Sequence, residues 1–112
     1  MFSILDGICC MKKINKKSFE SDVKSKLRAL CQEHSALLDH NAASIFMKAG
    51  REDYNILTKN GITIYCEVKS PTGKLSEAQI RRQKEVELRG GIYFVYNGLN
   101  DDELIKYLTC NY

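Results

Sequence analysis

The chain predicts a mixed α/β domain with elements in the order α-β-β-β-α-β-α, and three stretches carry that prediction. Residues 62–69 (ITIYCEVK) alternate, with Ile62, Ile64, Cys66 and Val68 on one side and Thr63, Tyr65, Glu67 and Lys69 on the other. A period of two is the signature of a strand with one buried face. Just before it, Lys59-Asn60-Gly61 is a strong hairpin signal, with an earlier strand expected over residues 53–58. Just after it, Ser76-Glu77-Ala78-Gln79 has the form of a capping box that opens a helix, and Gly90-Gly91 closes that helix before the apolar run IYFVY (92–96). A hairpin, a helix and a buried strand imply a mixed sheet whose last pairing is parallel through a right-handed crossover. Helices then cover both faces, with the Glu67 face covered only in part.

The remaining elements follow in chain order. Residues 1–17 read as a basic, flexible tail and 18–112 as one domain. At 112 residues there is room for one modest core. From Ser18 to about Glu33, Phe19, Val23, Leu27 and Leu30 recur at helical spacing, with Ser18 placed to cap and Glu20 in the first turn. Residues 34–43 are polar and read as a connection. Residues 44–48 (SIFMK) are short and apolar, and are taken as the first strand. Asn97-Gly98 is a turn, and a last helix is expected from Asp101 to about Leu108.

Composition excludes little. A net charge of +3 is too small to argue for nucleic acid by itself, although basic residues crowd residues 12–28 and the helix after Ser76. Five cysteines without paired metal-ligand spacing suit reduced thiols and an intracellular protein, in cytoplasm or nucleoid or in a host cell if virus-encoded. The N-terminal apolar stretch is interrupted by Asp6 and followed, not preceded, by lysines, so no membrane span or secretory signal is read. His34 and His40 fall in the polar connection and are read as solvent-facing.

The chemistry gathers in the hairpin. Two carboxylates with a lysine on the same strand face can hold a divalent cation and a water against a phosphodiester. Asp53 and Glu67 are the candidate metal ligands, with the backbone carbonyl of Val68 between Glu67 and Lys69. Lys69 would orient or deprotonate the attacking water and offset phosphate charge. Taken singly, Glu67 and Lys69 could be no more than a surface ion pair, and Gln79 no more than a cap. Register decides whether the acids meet. In a two-residue Asn60-Gly61 loop, Asp53 would face away from Glu67. A three-residue loop pairs Thr58 with Ile62 and sets Asp53 opposite Glu67, and Gly61 can take the left-handed position such a loop requires.

Asp53 followed after thirteen residues by Glu67-Val68-Lys69 resembles the PD-(D/E)xK nuclease signature. Gly73, Ser76 and Gln79, the helix, the Gly-Gly pair and the apolar strand further resemble the VRR-Nuc (virus-type replication-repair nuclease) family over about residues 18–108. The resemblance implies a restriction-endonuclease-like mixed sheet flanked by helices, and metal-dependent cleavage of DNA with Mg²⁺ or Mn²⁺. It implies catalytic roles for Asp53, Glu67, Lys69 and Gln79, and adds Glu20 as a further metal ligand. It also implies branched DNA such as a four-way junction as substrate, and a homodimer, with no small-molecule cofactor. Lys48, Arg51, Lys74, Arg81 and Arg82 are assigned to nucleic-acid contacts. Glu52 stands where the family shows a proline, which alters how Asp53 is presented or adds an acid to the site. The alternative reading is a binding or assembly module on the same fold whose catalysis has lapsed.

Overall fold

The computed structural model of the chain describes residues 16–41 and 50–110. Its elements run α1 (Lys16–Glu33), β1 (Leu37–His40), β2 (Tyr54–Leu57), β3 (Thr63–Val68), α2 (Glu77–Leu88), β4 (Ile92–Tyr96) and α3 (Asp101–Leu108). The sheet has the order β1-β2-β3-β4. Its first two pairings are antiparallel, and β4 joins β3 in parallel after the α2 crossover.

Alternation in β2 and β3 sorts the sheet into two unlike faces. Tyr54, Ile56, Ile64, Cys66 and Val68 point one way and join Phe94 and Tyr96 of β4. Val23, Leu27 and Cys31 of α1, with Leu104 and Leu108 of α3, complete this core. Leu27, Ile56, Ile64, Leu104 and Leu108 have no exposed surface, and burying each such side chain contributes about 1.5–3 kcal/mol. The opposite face carries Asn55, Tyr65, Glu67 and Tyr93 under α2, whose one buried residue is Val86. One face is therefore sealed by two helices and the other is covered only in part, as expected from the sequence.

The hairpin has the three-residue loop. The Thr58 amide donates to the Ile62 carbonyl at 2.8 Å, and the Gly61 amide to the Thr58 carbonyl at 2.9 Å. Gly61 lies at φ +83°, open to glycine at no steric cost, and the Ile62 amide turns to Thr58 Oγ1 at 3.0 Å. Tyr54 pairs with Cys66 and Asn55 with Tyr65, so one further step sets Asp53 opposite Glu67.

Two expectations are corrected. The strand that pairs with β2 is Leu37–His40, inside the stretch read as a polar connection, whereas residues 44–48 lie outside the described residues. β1 is an edge strand in which Leu37 is 57 % exposed and Asp39 and His40 face solvent. Leu38 packs on the core and the rest of the strand is held by ladder hydrogen bonds to β2, so there is no apolar alternation to read. The helix before it already includes Lys16, so Ser18 is an interior helical residue and not a cap. No helix among the described residues is long and apolar enough to cross a membrane.

Candidate active site

Asp53 and Glu67 converge where β2 begins and β3 ends. Asp53 Oδ2 accepts the Val68 amide at 3.0 Å, in place of the backbone partner that β2 no longer supplies. Glu67 is 3 % exposed although it lies on the polar face of β3. Its Oε2 accepts from Gln79 Nε2 at 3.0 Å, while its Oε1 is buried with no hydrogen-bond partner. Burial, then hydrogen bonding to the Asp53 carboxyl and its charge, push the Glu67 carboxyl up to about 8, against the pull of Lys69. Two facing carboxyl groups out of water favour keeping a proton between them.

A divalent cation meets the same need. The orphaned Oε1 of Glu67 and the facing Asp53 carboxylate supply hard oxygen donors that suit Mg²⁺, which retains several waters of its own. The residues present fit the ion. Glu20, expected as a further ligand, does not join them. Among the described residues no group of three His, Cys, Asp or Glu side chains gathers to hold a metal, and Glu20 sits half-buried on α1.

Lys69 follows Glu67 on the same strand face and is half-buried. Among the described residues no salt bridge joins the two, so they are not an exposed ion pair; Lys69 acts on Glu67 through its field alone. Gln79 closes the cap and also reaches Glu67. Its Oε1 accepts the Ser76 amide at 2.8 Å while Ser76 Oγ accepts the Gln79 amide at 3.2 Å, closing the capping box. The remaining amide nitrogen is thereby aimed at Glu67. One side chain fixes the start of α2 and the rotamer of a candidate metal ligand.

Glu52, which the sequence marked as altering how Asp53 is presented or adding an acid to the site, is 1 % exposed and anchors a second polar cluster beside the first. Its Oε1 accepts from Arg82 Nε at 2.9 Å and its Oε2 from Asn55 Nδ2 at 2.8 Å, with Arg51 Nε at 3.8 Å. Burial pushes its carboxyl up, but the bonds from Arg82, its own backbone and Asn55 outweigh that and hold it below its ordinary value. Asn55 Oδ1 accepts from Asn41 Nδ2 at 2.8 Å, which ties in the chain leaving β1. The cluster pins α2 to β2 three residues beyond Gln79. Gly50 completes the fit: at φ +83° it passes against the first turn of α2, where a Cβ would collide with the Ala78 carbonyl.

The other basic candidates separate. Arg82 is committed to Glu52 and lies over the Tyr65 ring, 5.6 Å from its centroid. Arg51 stands at the rim of the same cluster, with Nη2 3.5 Å from Asn55 Oδ1. Lys74 and Arg81 are exposed, and Lys48 lies outside the described residues. The spacing of Gln79 and Arg82 on one helix face was a usable signal for the second cluster. Nothing in the sequence pointed to Asn41 and Asn55.

No protein-family model matches the chain, and a search of curated proteins finds no match. Among solved structures, one described as a VRR_NUC domain superposes with a TM-score of 0.69 at 21 % identity, covering 79 % of this chain and 95 % of that one. The fold is that of a VRR_NUC domain. The mixed four-stranded sheet with its flanking helices, expected from the sequence, is this architecture. Within this VRR_NUC fold, the acid pair stands at the open end of the sheet's partly covered face.

Proposed function

We propose that the chain is a divalent-metal-dependent DNA nuclease with its centre at Asp53, Glu67 and Lys69. The observation that carries this reading is the buried, unpartnered Glu67 Oε1 facing the Asp53 carboxylate, an arrangement costly to a protein that has no cation to place there. Asp53, Glu67 and the Val68 carbonyl would hold Mg²⁺ or Mn²⁺. When bound, the ion supplies charge neutralisation at the phosphate and acidifies water. Lys69 orients the attacking water and offsets charge on the nonbridging oxygens. Gln79 holds the Glu67 carboxylate in one orientation, and the Glu52–Arg82 pair keeps α2 in register with the strands.

Likeness to the VRR_NUC fold supports DNA as substrate and, beyond that, branched DNA cut by a two-fold dimer. A closed pair of chains is the simplest way to present two such centres to two strands. Cysteine usage and the buried thiols of Cys31 and Cys66 suit a reducing, intracellular setting. Metal binding tests the centre directly. Titrating Mg²⁺ or Mn²⁺ near pH 7 in buffers of different ionisation enthalpy should show a proton released from the wild type and none from Glu67→Gln. Binding without proton release, or unchanged binding in the variant, contradicts the assignment. Light scattering that shows monomers alongside paired incision removes the dimer.

A further inference from the structure

A second feature faces the sealed side of the sheet. Lys24 and Arg28, one turn apart on α1, line a cleft of about 300 Å³ with Leu38 and His40 of β1 and Tyr54 of β2. Among the described residues its polar lining is two cations, an imidazole and a phenol, with no carboxylate. The His40 and Tyr54 rings are tilted 46° to each other with centroids 5.0 Å apart; Tyr54 is buried and His40 presents the exposed ring. Neither Lys24 nor Arg28 contributes to the core, which α1 builds from Val23, Leu27 and Cys31.

The cleft lies at the same end of the sheet as the acid pair. Tyr54 follows Asp53 directly and pairs with His40, the last residue of β1.

We propose that the Lys24–Arg28–His40–Tyr54 cleft binds the DNA backbone, receiving phosphate of the strand that runs on from the scissile position at Asp53 and Glu67. The assignment rests on the nuclease reading and extends it to a second subsite on the other face of the sheet. Cations with no carboxylate among the described lining residues suit phosphate, and the exposed His40 ring beside them suits the nucleotide that carries it. None of the five residues touches the reacting atoms, so their effect falls on binding and not on chemistry.

The test is DNA binding by anisotropy in excess EDTA, with salt varied, for wild type and the double variant Lys24→Ala/Arg28→Ala. Every phosphate that the protein ceases to neutralise lowers the slope of log K against log salt by about 0.7–0.9. The double variant should therefore lose between about one and two from that slope and bind about tenfold more weakly at low salt. Under Mg²⁺, KM should rise while kcat at saturating DNA stays unchanged. Lys59→Ala/Lys106→Ala removes the same charge at the far end of the molecule, where the hairpin turn meets the end of α3, and should shift the slope much less. Both cleft residues are off the core, and a thermal melt confirms folding of each variant. An unchanged slope overturns the proposal, as does a fall in kcat with KM intact. Saturation of the cleft by inorganic phosphate or a mononucleotide at micromolar concentration also overturns it, in favour of a small phosphorylated ligand. Failure of the nuclease reading looks different: wild type would bind with its full slope and cut nothing.

Discussion

Replacing Glu67 with glutamine should stabilise the metal-free protein at alkaline pH. In the folded chain the Glu67 carboxyl is pushed up to about 8, from 4.5 in the unfolded chain, chiefly by burial and by Asp53. Between those values the folded state binds a proton that the unfolded state does not. The slope of unfolding free energy with pH is then negative. Stability is full below about pH 4.5, falls as pH rises through the window, and levels off above about 8. Each pH unit is about 1.4 kcal/mol, so the ceiling on the loss is about 5 kcal/mol, reduced by whatever relaxation the pair undergoes. Glutamine keeps the shape and cannot ionise, and its amide can donate to Asp53. The assay is urea or thermal unfolding in EDTA from pH 5 to 9, for wild type and Glu67→Gln. Wild type should lose several degrees of Tm across the window that the variant retains. Millimolar Mg²⁺ should remove the wild-type loss, because the ion binds the ionised pair and stabilises by mass action. Metal-free wild type that holds or gains stability from pH 5 to 8, in parallel with Glu67→Gln, would refute the buried-pair geometry.

Two further predictions concern the groups that hold the pair. Gln79→Ala removes a capping-box partner and the donor to Glu67, and should cost about 1–3 kcal/mol of stability and lower kcat more than DNA affinity; Tm and single-turnover rates together check it. Arg82→Met leaves Glu52 buried at 1 % exposure without its main partner and should cost about 3–5 kcal/mol. Adding Glu52→Gln should recover a large part of that loss in a double-mutant cycle, and purely additive effects would contradict the pairing.

Much of this fold was legible because its central elements carry strong local signals. The Ile64-Cys66-Val68 alternation, Gly61, and the Ser76–Gln79 box each map onto one structural feature. The register followed from chemistry, since only the Thr58–Ile62 pairing lets Asp53 face Glu67. What was missed carried no apolar pattern. Among the described residues β1 is an edge strand with Leu38 alone on the core, and the turn after α1 has Ser35 at φ +58°, where glycine would have marked the stop. Glu52 was noticed only as a departure from a motif. Its burial depends on Arg82, thirty residues away, and long-range pairing of that kind leaves no mark on local sequence. Glu20 shows the converse: a residue type that suits a metal site, placed by the fold where it completes none among the described residues.

Cleavage under controlled metal tests the central claim most directly. Labelled duplex, flap, single-stranded and four-way DNA would be incubated with wild type, Asp53→Asn, Glu67→Gln and Lys69→Ala, in Mg²⁺ or Mn²⁺ and in excess EDTA. Wild type should cut in metal alone, with branched DNA preferred. Each variant should lose about a thousandfold or more in rate while binding DNA within a few-fold of wild type. Undiminished cleavage in EDTA, or by any one of the three variants, would contradict a centre built on Asp53, Glu67 and Lys69.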